Sequence, residues 1–477
     1  MRFFFLGICG TAMGNVALLL RSMGHEVVGV DKDIYPPMSD VLRDAGVEIY
    51  EGYDVERLKA IDPDMVVVGN VVSRGNPEVE WLLNTRRIPY CSLPELLKKE
   101  VLFNRFNIVV SGTHGKTTTT ALAAYLLKGH GLEPGYLIGG VPRDLPSGSC
   151  LGEGNSPFVI EGDEYDSVFF DKRSKFVHYL PSVLTINNIE FDHGDIFRDL
   201  EDIQRSFSHL LRIVPQCGYV LVNGDDDNIE ALLPITWTTV FKVGVGELND
   251  LRIVDFCEGV SGSAFSLVWK GREWGRVCWQ LSGLFNARNA AMAALAAGLS
   301  VSPEDPTQIS LESLGHFKGV KRRQEVLYED SEVVVIEDFA HHPTALGETL
   351  RALKRRYEGY RINACFEPRS NTACRKFHQE TFCVGLGGVD RLFIGPVFRG
   401  EMYSEGDRLD TVRIANTLRL EGVEANAYQS NDFILRDLEV KISRGLGEKN
   451  LVCFFSNGSF DGISKKFVDR ISTLSKV

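Results

Sequence analysis

No two of the ten cysteines (Cys9, Cys91, Cys150, Cys217, Cys257, Cys278, Cys365, Cys374, Cys383, Cys453) stand in a CxxC pair, and they are scattered, so a reduced cytoplasm is the expected compartment. No apolar run approaches the ~18 residues that cross a bilayer, so a soluble protein is expected. The opening MRFFFLGICG is apolar but runs into a glycine turn with no small-residue cleavage site, which argues against a signal peptide. Positive charge is in deficit, with 52 Lys and Arg against 64 Asp and Glu and a formal charge of -12. That balance disfavours non-specific binding to nucleic acid or an anionic membrane, and any anionic substrate must meet local positive charge. Repeats and low-complexity segments are absent too, and nothing in the sequence specifies an oligomeric state.

What is present is an ordinary globular composition, 44% hydrophobic and 24% charged, in 477 residues. That length exceeds what one hydrophobic core supports, so several domains are expected. RFFFLGI, a helix from about Met13 to Met23, HEVVGVD, a helix near Ser39 to Ala45 and DMVVVGN alternate as strands and helices do in a wound parallel sheet. A second unit starts at NIVVSG and a helix reaching about Lys128. It continues through SPFVIEGD, VLTIN and YVLVN, a β-rich stretch from Thr238 to Gln280 and the alanine-rich helix Asn286 to Leu299. After a basic joint, FKGVKRRQE, the alternation restarts with EVVVIEDF, YRINACFEP, RLFIGP and NLVCFFSNG. The expected fold is α/β in three domains: a Rossmann-like 1–104, a P-loop ATPase-type, mostly parallel 105–319, and a Rossmann-like 320–477.

The strand NIVVSG feeds Gly112-Thr113-His114-Gly115-Lys116-Thr117-Thr118 and then a helix. In that context backbone N–H groups cradle phosphates, the helix N-terminus favours anions, Lys116 neutralises the terminal phosphates and Thr117 can hold Mg²⁺. The reading is therefore ATP binding, although position 110 is Val where the general motif has Gly. Downstream, IEGDEYD carries Glu161, Asp163 and Glu164, and NNIEFDHGDIF carries His193. Both follow core strands, where α/β sheets bind ligands, and Glu161 with His193 is the expected pair for a second magnesium. The turn Gly7-Ile8-Cys9-Gly10-Thr11-Ala12-Met13-Gly14, with Asp31 ending the next strand, suits either a nicotinamide dinucleotide or the diphosphate of a UDP-sugar. An NAD-dependent oxidoreductase and a P-loop switch or motor are the readings from other classes.

In order along nearly the whole chain, GICGTAMG, SGTHGKTTTT, IEGDEYD, NNIEFDH, FNARNAA, FKGVKRR and EDFAHHPT resemble the Mur ligase family of bacterial cell-wall synthesis. The resemblance implies one domain for a UDP-linked muramyl substrate, one for ATP and one for the incoming amino acid or peptide. VIEGDEYDSVFFDKRSKFVHY, FEPRSNT and FSNGSFDGI look like the branch that joins UDP-N-acetylmuramate to the murein tripeptide L-alanyl-γ-D-glutamyl-meso-diaminopimelate in peptidoglycan recycling. The L-alanine-adding branch is the alternative. The implied chemistry is attack of the lactyl carboxylate on the γ-phosphate of ATP, then displacement of phosphate by the L-alanyl amine.

Carried over by position, Asn289 and less firmly Asn286 meet the adenine, Arg323 or Arg322 reaches ATP from the joint, and Asp338 approaches it from the third domain. His341 and His342 are either contacts or structural. Arg369, Ser370, Asn371, Thr372 and Asn457 are the expected peptide contacts. Gly10, Thr11, Met13, Asp31, Ser73 and Asn76 are the expected UDP-sugar contacts. Several family members carry a carbamylated lysine shortly after the DH motif, but this chain has no lysine between Lys175 and Lys242. Lys116→Ala is expected to remove nearly all turnover while leaving the fold intact.

Overall fold

The computed structural model describes residues 1–34, 36, 38–442 and 447–474. Strand Arg2–Leu6, apolar and buried from Phe3 onward, lies at the centre of a five-stranded parallel sheet. Glu26–Asp31 and then Glu48–Glu51 lie on one side of it, and Met65–Val68 and Tyr90–Ser92 on the other. The strand order reverses beside this first strand. The glycine turn and helix Thr11–Ser22 therefore start at the crevice where such sheets bind ligands.

A ten-stranded sheet follows. Asn107–Ser111 is buried at all five positions and sits between Phe158–Glu161 and Val183–Ile186, both parallel to it, so a continuous β-branched run marks a strand covered on both faces. Tyr219–Asn223, Thr239–Gly244 and Leu251–Gly259 extend the parallel array. Gly262–Trp269 and Arg272–Trp279 finish it as an antiparallel meander, and together with Thr239–Gly244 and Leu251–Gly259 they make up the β-rich stretch read from Thr238 to Gln280.

Helices Lys116–Gly129 and Leu284–Val301 pack against each other over this sheet. Ala121, Ala123 and Ala124 on one, and Ala287, Ala290, Ala291, Ala293 and Ala294 on the other, are fully buried, so small side chains let the helices approach closely. A larger residue there is expected to cost about 1–3 kcal/mol in overpacking.

The third sheet has the order Glu325–Glu329, Val333–Asp338, Asn450–Phe455, Arg361–Phe366, Arg391–Ile394, Glu424–Ala427, parallel except for its first pair. The first strand grows out of the basic joint and, half-buried, lacked a clear apolar signal. Among the described residues no helix is long and apolar enough to cross a membrane. Thus the α/β class and the mostly parallel sheets expected from the alternation are what the chain forms.

Candidate active site

The carboxyl ends of strands Asn107–Ser111, Phe158–Glu161 and Val183–Ile186 open into a cleft of about 860 Å³, lined by residues from the parts of the chain that carry all three large sheets. The phosphate-loop candidate forms its floor. Gly115 ends the loop at φ +81°, and a Cβ there would stand 2.4 Å from Asn289 Oδ1, so only glycine fits between loop and alanine-rich helix. No side chain caps helix Lys116–Gly129. Its first-turn N–H groups therefore face the cleft as an anion site needs. The loop is braced from below by NNIE: Asn188 Oδ1 accepts from His114 N at 2.7 Å, Asn188 O from Thr113 N at 3.0 Å, and Thr113 Oγ1 from Glu190 N at 2.9 Å.

Lys116 Nζ folds back onto the carbonyl of Gly112 at 2.7 Å and onto both oxygens of Glu164 at 2.8 and 3.0 Å. Glu164 Oε1 also receives His193 Nε2 at 2.9 Å. The sequence points to Glu161 and His193, whereas Glu164 is the carboxylate that touches both the lysine and the histidine. The cue was present in the acid triplet, but only the fold shows which of the three turns inward.

Burial opposes the charge on Lys116, yet Glu164, Asp163 and Glu161 outweigh it and hold its pKa above the usual lysine value. Burial likewise opposes ionisation of Glu164, and Lys116 with His193 overrides it, so the carboxyl lies below its usual range. His193 is raised despite burial, by Glu164 and then by Asp192.

Glu161 meets Thr117 instead. Its Oε2 accepts from Thr117 Oγ1 at 3.2 Å and its Oε1 from Gly139 N at 2.5 Å, while burial pushes its pKa up against those donors, Lys116 and Arg323. A hydroxyl and a carboxylate side by side at the phosphate loop are hard oxygen donors of the kind Mg²⁺ takes. Thr117 with Glu161 therefore fits that ion on chemistry. His193 is engaged with Glu164.

Arg322 and Arg323 separate into two tasks. Arg322 binds Glu337 at 3.1 Å and the carbonyls of Ser456 (2.6 Å) and Gly458, which ties the joint to the third sheet. Arg323 points into the cleft, with Nη2 3.3 Å from Thr117 Oγ1 and its guanidinium over the Phe339 ring at 4.5 Å. Asp338, buried, accepts from Gln324 N and Ala340 N at 2.7 Å each and orders the joint around that arginine. Asn289 and Asn286 line the same cleft and hydrogen-bond each other at 3.3 Å. Thr118 lines the cleft too.

The glycine-turn residues part company. Gly10, Asp31, Ser73 and Asn76 surround a separate hollow of about 390 Å³, and Thr11 faces the main cleft. Met13 is buried in the first sheet's core and borders neither. Asp31 Oδ2 accepts from Cys9 N at 2.9 Å, bracing the turn, and Asn76 caps helix Pro77–Thr85 through Glu78 N and Val79 N.

In the third part, Ser370 Oγ accepts from Ala373 N, whereas Asn371 and Thr372 reach across to the segment after His193. Asn371 Nδ2 donates to Asp195 at 2.9 Å, and Thr372 Oγ1 accepts from Gly194 N at 3.2 Å. The guanidinium carbon of Arg369 lies over the Phe398 ring, 3.9 Å from its centroid, against the backbone of Gly458, where any Cβ would strike the guanidinium. Its ion contact with Glu367 is long, 3.5 Å. Asn457 Oδ1 is buried with no hydrogen-bond partner. None of these five lines the main cleft.

His341 Nδ1 lies 3.1 Å from the carbonyl of Phe339, and its Nε2 is 3.8 Å from Asp192. His342 caps helix Pro343–Arg356, with Nδ1 3.1 Å from Glu190 Oε2 and Nε2 3.2 Å from the carbonyl of Phe191. Glu190 was not singled out from the sequence, yet it sits between His342 and His114, whose Nε2 is 3.4 Å away.

Comparison with known proteins identifies the family of the chain. Residues 2–104 match the family description "Mur ligase family, catalytic domain", and residues 110–297 match "Mur ligase middle domain". The chain is 40% identical to the UDP-N-acetylmuramate–L-alanyl-γ-D-glutamyl-meso-2,6-diaminoheptandioate ligase of Escherichia coli strain K12, over 99% of this chain and 98% of that one. It is 33% identical to the UDP-N-acetylmuramate–L-alanine ligase of a Sulfurihydrogenibium species, over 90% of this chain and 93% of that one. The crystal structure of a murein peptide ligase from Psychrobacter arcticus 273-4 superposes with a TM-score of 0.71 at 34% identity, covering 98% of both chains. The family leaves no room for the nicotinamide oxidoreductase reading of the first glycine turn. This chain belongs to the Mur ligase family.

Proposed function

We propose that the chain is an ATP-dependent ligase that joins the lactyl carboxylate of UDP-N-acetylmuramate to the amino group of L-alanyl-γ-D-glutamyl-meso-diaminopimelate, in peptidoglycan recycling. The observation that carries the reading is the uncapped phosphate loop with the Lys116 ammonium beside Glu164, in a cleft bordered by all three parts of the chain. The tripeptide is favoured over alanine because the tripeptide-ligase relative is 40% identical over 99% of the chain, against 33% over 90% for the alanine ligase. The three proposed domains keep the limits 1–104 for UDP-N-acetylmuramate, 105–319 for ATP and 320–477 for the peptide.

A carboxylate is a poor electrophile, so one of its oxygens must first become part of a leaving group. The lactyl carboxylate attacks the γ-phosphorus, ADP leaves, and the resulting acyl phosphate is attacked at carbon by the L-alanyl amine, releasing phosphate and a proton. Lys116 exchanges Glu164 for the β- and γ-phosphates and neutralises charge as it builds on the transferred group. Gly112, Thr113, His114, Gly115 and Thr118 shape the cradle around it, and Arg323 adds a second positive charge from the joint. Thr117 and Glu161 would hold the Mg²⁺ that neutralises nucleotide phosphates when bound, with His193 the proposed ligand of a second ion. Asn289 reads the adenine, and Asp338 holds Arg323 in place.

Arg369, stacked on Phe398 with only a long contact to Glu367, offers a planar fork for a peptide carboxylate. Asn457, with its orphaned carbonyl oxygen, awaits a donor such as a peptide N–H, and Ser370, Asn371 and Thr372, which follow Arg369 in the chain, are the further proposed peptide contacts. Gly10, Thr11, Met13, Asp31, Ser73 and Asn76 belong to the UDP-sugar end, with Met13 acting from the core.

The test is phosphate release with ATP, Mg²⁺ and UDP-N-acetylmuramate, comparing L-alanine with the tripeptide. Turnover confined to the tripeptide is expected. Equal or faster turnover with L-alanine overturns the acceptor assignment.

A further inference from the structure

We propose that His114, Glu190 and His342 form a binding site for a divalent transition metal of the zinc class, placed between the phosphate loop and the start of helix Pro343–Arg356. The site goes beyond the ligase reading and stands or falls separately from it. It also differs from the Thr117–Glu161 pair suited to magnesium.

His342 Nε2 lies 3.2 Å from the carbonyl oxygen of Phe191, and a carbonyl oxygen only accepts, so the ring proton sits on Nε2. Nδ1 of the neutral ring then offers a lone pair that takes only the long helix-capping N–H of Thr344. Opposite it, at 3.1 Å, stands Glu190 Oε2. Two acceptors face each other with no proton to share, and the Thr344 N–H, 3.4 Å from Nδ1, is at the far limit of a hydrogen bond. The same Glu190 oxygen is 3.4 Å from His114 Nε2, and one ligand atom from each residue falls within 4.8 Å of the others. Something positive belongs among them.

The spacing says what. Four ligands about 2.05 Å from a tetrahedral zinc stand about 3.3 Å apart; the two separations from Glu190 Oε2, 3.1 and 3.4 Å, match that spacing, and the two histidine nitrogens lie within 4.8 Å of each other. Two imidazoles and one carboxylate suit zinc, cobalt or nickel rather than magnesium, which takes oxygen. The Phe191 carbonyl on the far ring nitrogen of His342 is the outer partner that fixes the tautomer of a ligating histidine. His342 is nearly covered while Glu190 and His114 stay about a quarter exposed to the cleft, leaving an entry path and an open fourth position. Because His114 lies on the phosphate loop and His342 begins a helix of the third part, a bound ion latches the two together.

The experiment uses the full-length chain, stripped with chelator, free of ATP and kept in excess Mg²⁺ to fill the oxygen sites. Co²⁺ is titrated and read by its visible spectrum, then displaced with Zn²⁺. One equivalent of Co²⁺ is expected to give the intense bands of a four- or five-coordinate ion. Affinity is expected to fall at least tenfold in both Glu190→Gln and His342→Gln and to stay unchanged in Glu161→Gln. Near-UV circular dichroism confirms folding, and if His342→Gln does not fold then Glu190→Gln decides. Only the weak absorption of an octahedral ion, bands that persist in a folded Glu190→Gln, or bands lost equally in Glu161→Gln would each overturn the proposal.

Discussion

Replacing Lys116 by Met keeps the apolar stem and removes the charge, which isolates the ion pair with Glu164 from the packing around it. Glu164 is 4% exposed and Lys116 16%, so the carboxylate cannot turn to water when its partner goes. Breaking a buried pair in this way costs about 3–5 kcal/mol. His193 still holds one oxygen of Glu164 at 2.9 Å, which reduces the expected loss to about 2 kcal/mol. For the part of the chain built on the ten-stranded sheet, that is a fall of about 4–8 °C in its unfolding temperature. Adding Glu164→Gln to the same chain removes the stranded charge, and most of the loss returns. Calorimetry on the wild type, both single variants and the double variant yields the coupling energy directly, expected to be about 1.5 kcal/mol or more. Additivity within about 0.5 kcal/mol would refute the reasoning, because it would mean that the two side chains do not meet in solution. Truncating Lys116 is therefore still expected to leave the fold intact, though less stable.

Gly115→Ala drives a methyl towards Asn289 Oδ1 and strains a positive φ, so ATP affinity is expected to fall at least tenfold in a nucleotide titration while the protein stays folded. Arg369→Ala is expected to raise the tripeptide KM at least tenfold and leave the ATP KM within about twofold; a normal peptide KM removes Arg369 from the site. The neighbouring arginines separate in the same assays. Arg322→Ala loses contacts with Glu337, Ser456 and Gly458 and lowers the stability of the third part, whereas Arg323→Ala lowers turnover with little thermal shift. His193 has a folded pKa above its unfolded value, so its stabilisation is full below pH ~6.5 and is lost as pH rises through the folded pKa. Glu164 is depressed, so its contribution is present above pH ~4.3 and is lost as pH falls through the folded pKa. Unfolding temperature is therefore expected to decline above pH ~6.5 in the wild type, and that slope to flatten in Glu164→Gln.

Where one side chain type and one spacing carry a meaning, the sequence could be read directly. Buried parallel strands such as Asn107–Ser111 announce themselves as unbroken apolar runs, and a Gly-Lys-Thr after such a strand has one common geometry. The alanine-rich helix was legible for the same reason, although its ends ran two residues further each way, to Leu284 and Val301. Short or half-exposed strands such as Glu48–Glu51 and Glu325–Glu329 lacked that signal, because their burial comes from neighbours distant in sequence. The site divided similarly. Glu161, Asp163 and Glu164 are indistinguishable as letters, and only the sheet's pleat and the turn that follows send Glu164 to Lys116 and Glu161 to Thr117. Arg322 and Arg323 look alike until positive φ at Arg322 and Gln324 turns one to the third sheet and the other to the cleft. Glu190 gained its place from His342, some 150 residues away, a pairing no local pattern contains.

The central claim is that the cleft activates a carboxylate by phosphorylation and hands it to a peptide amine. UDP-N-acetylmuramate labelled with ¹⁸O in both lactyl carboxylate oxygens tests it in one reaction with ATP, Mg²⁺ and the tripeptide, read by mass spectrometry. An acyl phosphate requires one label to leave with inorganic phosphate and the other to remain in the new amide carbonyl, and that is the predicted result. Unlabelled phosphate with both labels still on the sugar lactyl group would contradict the account, since it would mean that the cleft merely hydrolyses ATP.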